Sequence, residues 1–100
     1  MIVFLTVVPS GREAMSEEVA RVIDLIDRSG LSYRLTAMGT VIEGEPDAVW
    51  ALGRSCHEEM RRTNSRVSTH ISIDDRAGTV DALRGKVDAV ERRLHRKLKT

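Results

Sequence analysis

The residues best placed to do chemistry are Leu35-Thr36-Ala37-Met38-Gly39-Thr40-Val41-Ile42-Glu43-Gly44 and, further on, Asp74-Asp75-Arg76. Two short β-type runs, Tyr33–Thr36 and Thr40–Glu43, meet at a Met-Gly corner, and each mixes apolar residues with hydroxyls or a charge. A strand pair with one ordinary core face alternates more cleanly between polar and apolar. Polar side chains set among apolar ones, at a corner where glycine allows close approach, suit the lining of a small-molecule pocket. A plain hairpin accounts for the same spacing, because a motif of this kind is a hypothesis until its context is known. Asp74-Asp75-Arg76 is open to two readings in the same way. It is a metal or ligand site, or a strand end whose aspartates bond nearby backbone amides.

Other candidates point away from catalysis. His57-Glu58 is not followed by a second histidine four residues after the first, so the zinc-protease spacing is missing. Cys56 and His57 are neighbours on a predicted helix and project about 100° apart, which does not make a nucleophile and its base. Cys56 falls on an apolar stripe and is expected in the core. His70 shares a polar strand face with Ser68 and Ser72, where a ligand contact, an interface hydrogen bond and plain solvation are equally compatible. His95 belongs to a basic tail and is expected in solvent. Gly39 and Gly44 do not complete a phosphate-binding loop. No catalytic residues and no metal ligands are assigned, and the chain is read as a non-enzyme.

Elements must hold these residues, and the totals bound what they are. One hundred residues make one domain, taken as 1–100. A domain of this size buries a modest share of its surface, so association with further copies would help it. Phe4, Tyr33 and Trp50 are the only aromatics, too few to build a stacking platform for single-stranded nucleic acid. The net charge of +1 hides an asymmetry: residues 84–100 carry seven Lys or Arg against two acids, while residues 1–83 carry nine against thirteen. A basic tail on an acidic body can bind a polyanion or dock on a neighbouring subunit. A lone cysteine allows no intrachain disulfide, and the apolar run Ile2–Val8 is too short to span a membrane and lacks a charged start. A cytoplasmic address without a membrane partner is expected.

Ile2–Val8 reads as a central strand covered on both faces, ended by Pro9-Ser10-Gly11. Ser16 is placed to cap a helix, with Glu17 and Glu18 in its first turn. Val19, Val22, Ile23 and Ile26 face inward, Arg21, Asp24 and Arg28 face solvent, and Gly30 marks the C-terminal cap. Ser32–Thr36 and Thr40–Gly44 are strands. Pro46 opens a second helix whose stripe is Val49, Leu52, Gly53, Cys56 and Met60, the glycine implying close packing. Val67, Thr69, Ile71 and Ile73 alternate with polar residues as a half-buried strand. After a turn at Asp75–Thr79, Val80, Leu83, Val87, Val90, Leu94 and Leu98 make a narrow helical seam. The order β-α-β-β-α-β plus a helix predicts an α+β, ferredoxin-like sandwich with a four-stranded antiparallel sheet. Two helices cover one sheet face, so the terminal helix or a second subunit must cover the other.

The chain resembles the small thiamine-binding protein family. The resemblance rests on Val7-Val8-Pro9, Ser29-Gly30-Leu31-Ser32-Tyr33, the motif Leu35 to Gly44, Ile71-Ser72-Ile73-Asp74-Asp75-Arg76 and Gly85-Lys86-Val87. The family usually has proline where Ala37 stands, so the corner here is less rigid. The resemblance implies a homo-dimer or homo-tetramer that binds thiamine or its hydroxymethylpyrimidine half, with no cofactor and no known reaction. For such a ligand Glu43 supplies the acid, Thr6, Thr36 and Thr40 hydroxyls, and Met38 apolar surface. Gly39 gives close approach and His70 lies nearby on the free sheet face. β-strand propensity explains any one of the threonines equally well. The competing function is a nucleic-acid-binding module built on the basic C-terminal helix. A net charge of only +1 and unpaired aromatics argue against it.

Overall fold

The apolar, β-branched run after Met1 forms strand β1 (Ile2–Pro9), and the chain continues through α1 (Ser16–Arg28), β2 (Ser32–Leu35), β3 (Thr40–Glu43), α2 (Pro46–Arg61), β4 (Val67–Asp74) and α3 (Ala82–Leu94). This is a computed structural model that describes residues 1–11, 15–78 and 81–100. The strands lie in the order β2-β3-β1-β4 and each neighbouring pair is antiparallel. The architecture is the ferredoxin-like sandwich expected from the element order, with the extra helix α3 after it.

Strand alternation sends Val3 and Leu5 toward α1 and α2, where they are buried with Val22, Ile26, Ile42, Val49, Leu52, Cys56 and Met60. Each such side chain contributes roughly 1.5–3 kcal/mol relative to exposure. The predicted α2 stripe is buried in full. A Cβ on Gly53 would stand 3.3 Å from Ile71 Cδ1, which is why a helix-weakening glycine is kept there.

Several local expectations fail for identifiable reasons. Ser16 is the first residue of α1 rather than its cap; Met15 holds the cap position, with no side-chain bond. Glu18 does more than complement the helix dipole. It is buried, and its Oε2 accepts a 3.0 Å hydrogen bond from Asn64 Nδ2, which also donates to the Met60 carbonyl at 2.9 Å. Arg21 stays partly in solvent, but its Nε also lies 3.3 Å from Glu59 and ties α1 to α2. The second strand stops at Leu35, because Thr36 turns into the corner, and the third stops at Glu43. The seam of α3 ends at Leu94, since His95 adopts a left-handed conformation (φ 54°) that breaks the helical repeat. Leu98 therefore lies off the helix, its N–H donating to Glu91 at 2.6 Å. Thr79 and Val80, placed in the turn and at the head of the seam, lie outside the described residues. Among the described residues no helix is long and apolar enough to cross a membrane.

Candidate functional site

On the sheet face away from α1 and α2, strand pairing sets residues in rows. Ser32, Glu43, Ile2 and Asp74 form one row across all four strands, and Arg34, Val41, Phe4 and Ser72 form the next. Thr6 pairs with His70 one row further on. The first row thus carries two carboxylates on either side of Ile2, with Cα atoms roughly 10 Å apart, or two strand spacings.

Both carboxylates hold α3. Glu43 accepts the backbone N–H of Ala82 at 2.7 Å through Oε2 and that of Leu83 at 3.1 Å through Oε1. These are first-turn amides with no partner inside the helix, and Asp81, the residue at the cap position, makes no side-chain cap bond. Asp74 accepts a hydrogen bond from Lys86 Nζ. The ammonium holds the Asp74 carboxyl below the usual carboxylate value, through the hydrogen bond first and charge second. Between the row and α3 lies a cleft of about 470 Å³, floored by Met1 and Ile2 and walled by Glu43, Asp74, Ala82, Gly85, Lys86 and Ala89, with Arg76 and Asp81 at its rim. A shallower hollow of about 280 Å³ continues it over Phe4, Val41 and Ser72. The helix face turned to the cleft, Ala82, Gly85, Lys86 and Ala89, repeats at three and four residues and carries mostly small side chains, which leaves the space open.

The Met-Gly corner abuts Phe4, which lines the shallower hollow. Thr36 N–H and Oγ1 both donate to the Gly39 carbonyl, at 2.9 and 2.7 Å, while Oγ1 accepts the N–H groups of Met38 and Gly39 at 3.2 Å each. The hydroxyl braces the corner at the point where Ala37 supplies no ring rigidity. Gly39 lies directly over the groove floor: a Cβ there would meet Phe4 Cζ at 2.5 Å and Thr6 Cγ2 at 2.9 Å.

The structure therefore divides the residues singled out from sequence. Thr6, Thr36, Met38, Gly39 and Thr40 gather at the corner, where they line a hollow of about 200 Å³ against α1. Thr40 pairs with Leu5 on the helix-covered face and is 4% exposed, so its side chain does not share a face with Glu43. Met38 is 82% exposed. Glu43 lies at the opposite end of β3 in the cleft with α3, and His70 is exposed on β4 beside Thr6. Missing from the expected set were Ile2, Asp74 in its role beside Glu43, and the α3 face. Strand register and the small-residue repeat Ala82, Gly85, Ala89 are the signals that place them together.

Cys56 is fully buried and burial pushes its thiol up to about 11, which removes it as a nucleophile. His57 Nδ1 lies 2.5 Å from Thr69 Oγ1, linking α2 to β4. Among the described residues no cluster of three metal-ligating side chains occurs.

Comparison with known proteins places this geometry in context. The family described as thiamine-binding protein matches residues 3–91. The UPF0045 protein Mb1933 of Mycobacterium bovis is 39% identical over 98 residues, covering 96% of each chain. The UPF0045 protein YqgV of Bacillus subtilis is 32% identical over 97 residues, covering 90% of this chain and 93% of its own. Among solved structures, protein MJ1052 of Methanocaldococcus jannaschii superposes with a TM-score of 0.82 at 24% identity over 89% of this chain and 93% of its own. A Thermotoga maritima protein provisionally assigned to thiamine biosynthesis or salvage gives 0.78 at 23% identity over 89% and 96%. At these identities the two structures speak for the fold.

Proposed function

This chain belongs to the thiamine-binding protein family, and from that premise we propose that it binds thiamine or its hydroxymethylpyrimidine half, without catalysis, in the groove between the free sheet face and α3. The observation that carries the reading is the position of Glu43, a carboxylate fixed in the wall of a 470 Å³ cleft beside an apolar floor. That volume falls within the range of small-molecule sites, roughly 300–1,000 Å³. Thiamine brings a permanent positive charge and an aminopyrimidine with donors and acceptors. Glu43 and Asp74 offer acceptors to the cation and the exocyclic amine, while Ile2 and Phe4 give a ring an apolar surface. At the edge of the groove Gly39 packs on Phe4 and Thr6, with His70 beside Thr6 on β4.

The groove is open, and the seam of α3 leaves Val90 50% and Leu94 44% exposed. We assign both features to a cytoplasmic homo-oligomer, dimer or tetramer, in which a second copy covers the seam. Nuclear magnetic resonance mapping with thiamine tests the site. Shifts should cluster on Ile2, Phe4, Glu43 and Gly85. Shifts confined to the hollow against α1, around Met38 and Ile23, would place the ligand elsewhere.

A further inference from the structure

We propose that α3 is a strap latched over the ligand groove by Glu43, so that ligand binding and docking of α3 reinforce each other. The inference rests on the proposed ligand site and extends it to a coupling between that site and a whole helix.

Little else holds α3 to the sheet. Of its side chains only Ala82 is buried, Leu83 and Val87 are half-buried, and Val90 and Leu94 are exposed. Among the described residues its polar ties to the sheet are two: the Glu43 carboxylate on the Ala82 and Leu83 amides, and the Lys86 ammonium on Asp74. Both ties end in the cleft. Asp81, immediately before the helix, takes a left-handed conformation (φ 56°), which aims the first-turn amides without offering a side-chain cap.

The carboxylate has capacity to spare. An ionised carboxylate has about four lone-pair directions. The two amides use one on each oxygen, leaving acceptor capacity on both for a group inside the cleft. A ligand donor or cation therefore shares Glu43 with α3 instead of displacing it. Docked α3 pins the carboxylate, so the ligand meets an acceptor already oriented. When α3 lifts, Glu43 regains its rotamer freedom and the small-residue wall Ala82, Gly85 and Ala89 leaves the cleft. Linkage makes the effect reciprocal: whatever docking of α3 adds to ligand affinity, the ligand adds to docking of α3.

Hydrogen exchange with mass spectrometry or nuclear magnetic resonance tests this on the full chain in two arms. In the first, without ligand, Glu43→Ala should speed exchange over residues 82–90 by about tenfold while α1 and α2 keep their protection. Glu43→Gln should fall between that variant and the wild type. Unchanged exchange of α3 in both variants would overturn the latch. In the second arm, saturating thiamine should slow exchange of the same residues in the wild type. Val87→Asp, which loosens α3 outside the cleft, should weaken thiamine binding by about tenfold. Thiamine bound with wild-type affinity by Val87→Asp, or bound without added protection of α3, would overturn the coupling while leaving the ligand site intact. Failure of wild-type protein to bind thiamine or hydroxymethylpyrimidine at all would overturn the ligand reading and the coupling with it. The first arm still decides the latch.

Discussion

Replacing Gly39 by alanine tests how the corner and the groove floor fit together. Gly39 does not occupy the left-handed backbone region, so an alanine there meets a limit of space and not of conformation. The new Cβ would stand 2.5 Å from Phe4 Cζ, 2.9 Å from Phe4 Cε2 and 2.9 Å from Thr6 Cγ2. Comfortable carbon contacts begin at about 3.5 Å, so the ring must retreat by about 1 Å. Overpacking of this kind costs about 1–3 kcal/mol. The ring borders the open hollow over Val41 and Ser72 and has room to tilt, which puts the loss near the lower end, about 1 kcal/mol. With a urea slope of roughly 1 kcal/mol per molar, the unfolding midpoint should drop by roughly 1 M at fixed protein concentration. The same substitution in a Phe4→Leu, Thr6→Ser background, where the crowding atoms are gone, should lower stability by less than about 0.5 kcal/mol. Equal losses in the two backgrounds would refute the steric account. The tilted ring also enters the groove, so Gly39→Ala alone should weaken thiamine binding.

Three further outcomes follow from the same structure. Sedimentation equilibrium at micromolar concentration should show an oligomer, and Leu94→Asp should lower its mass; a monomer in the wild type would contradict the assignment of the α3 seam. The Asp74 carboxyl, held low by Lys86, should titrate below 3.8 in the folded chain and move upward in Lys86→Ala. Because a depressed carboxyl stabilises above its unfolded value and loses that contribution as pH falls through its folded value, the Asp74 tie should persist at pH 3.8 and be lost only at lower pH, with α3 amides exchanging faster there. RNA and DNA should give no tight complex at about 150 mM salt, where exposed charges are screened beyond about 8 Å. Sub-micromolar binding that weakens steeply with salt would favour a nucleic-acid role for the exposed Arg92, Arg93 and Arg96.

The fold was readable because its signals are local. Alternation in Val67–Asp74 and the stripe from Val49 to Met60 each name a face without knowledge of neighbours. The site was less readable because it depends on register. Thr40 and Glu43 are three residues apart on one strand, so they point to opposite faces, and a motif read as one stretch hides this. Glu43 was legible as a candidate acid but not as the cap of a helix about forty residues further on. Glu18 was legible as an acid in the first turn of α1, but its burial and its bond from Asn64, 46 residues away, depend on packing. Thr36 reads as the last residue of a strand, yet it belongs to the corner, where its hydroxyl is occupied by Gly39 and Met38, a pattern that becomes visible once the turn is built.

Whether Glu43 in the α3 groove holds a thiamine-like cation is decided by calorimetric titration of wild type and Glu43→Gln with thiamine and hydroxymethylpyrimidine. Gln keeps the shape and removes the charge. The wild type should bind saturably and the variant should lose about 1–3 kcal/mol, the scale for disrupting a charge-assisted hydrogen bond. Equal affinity for thiamine in the two proteins would contradict that role of Glu43.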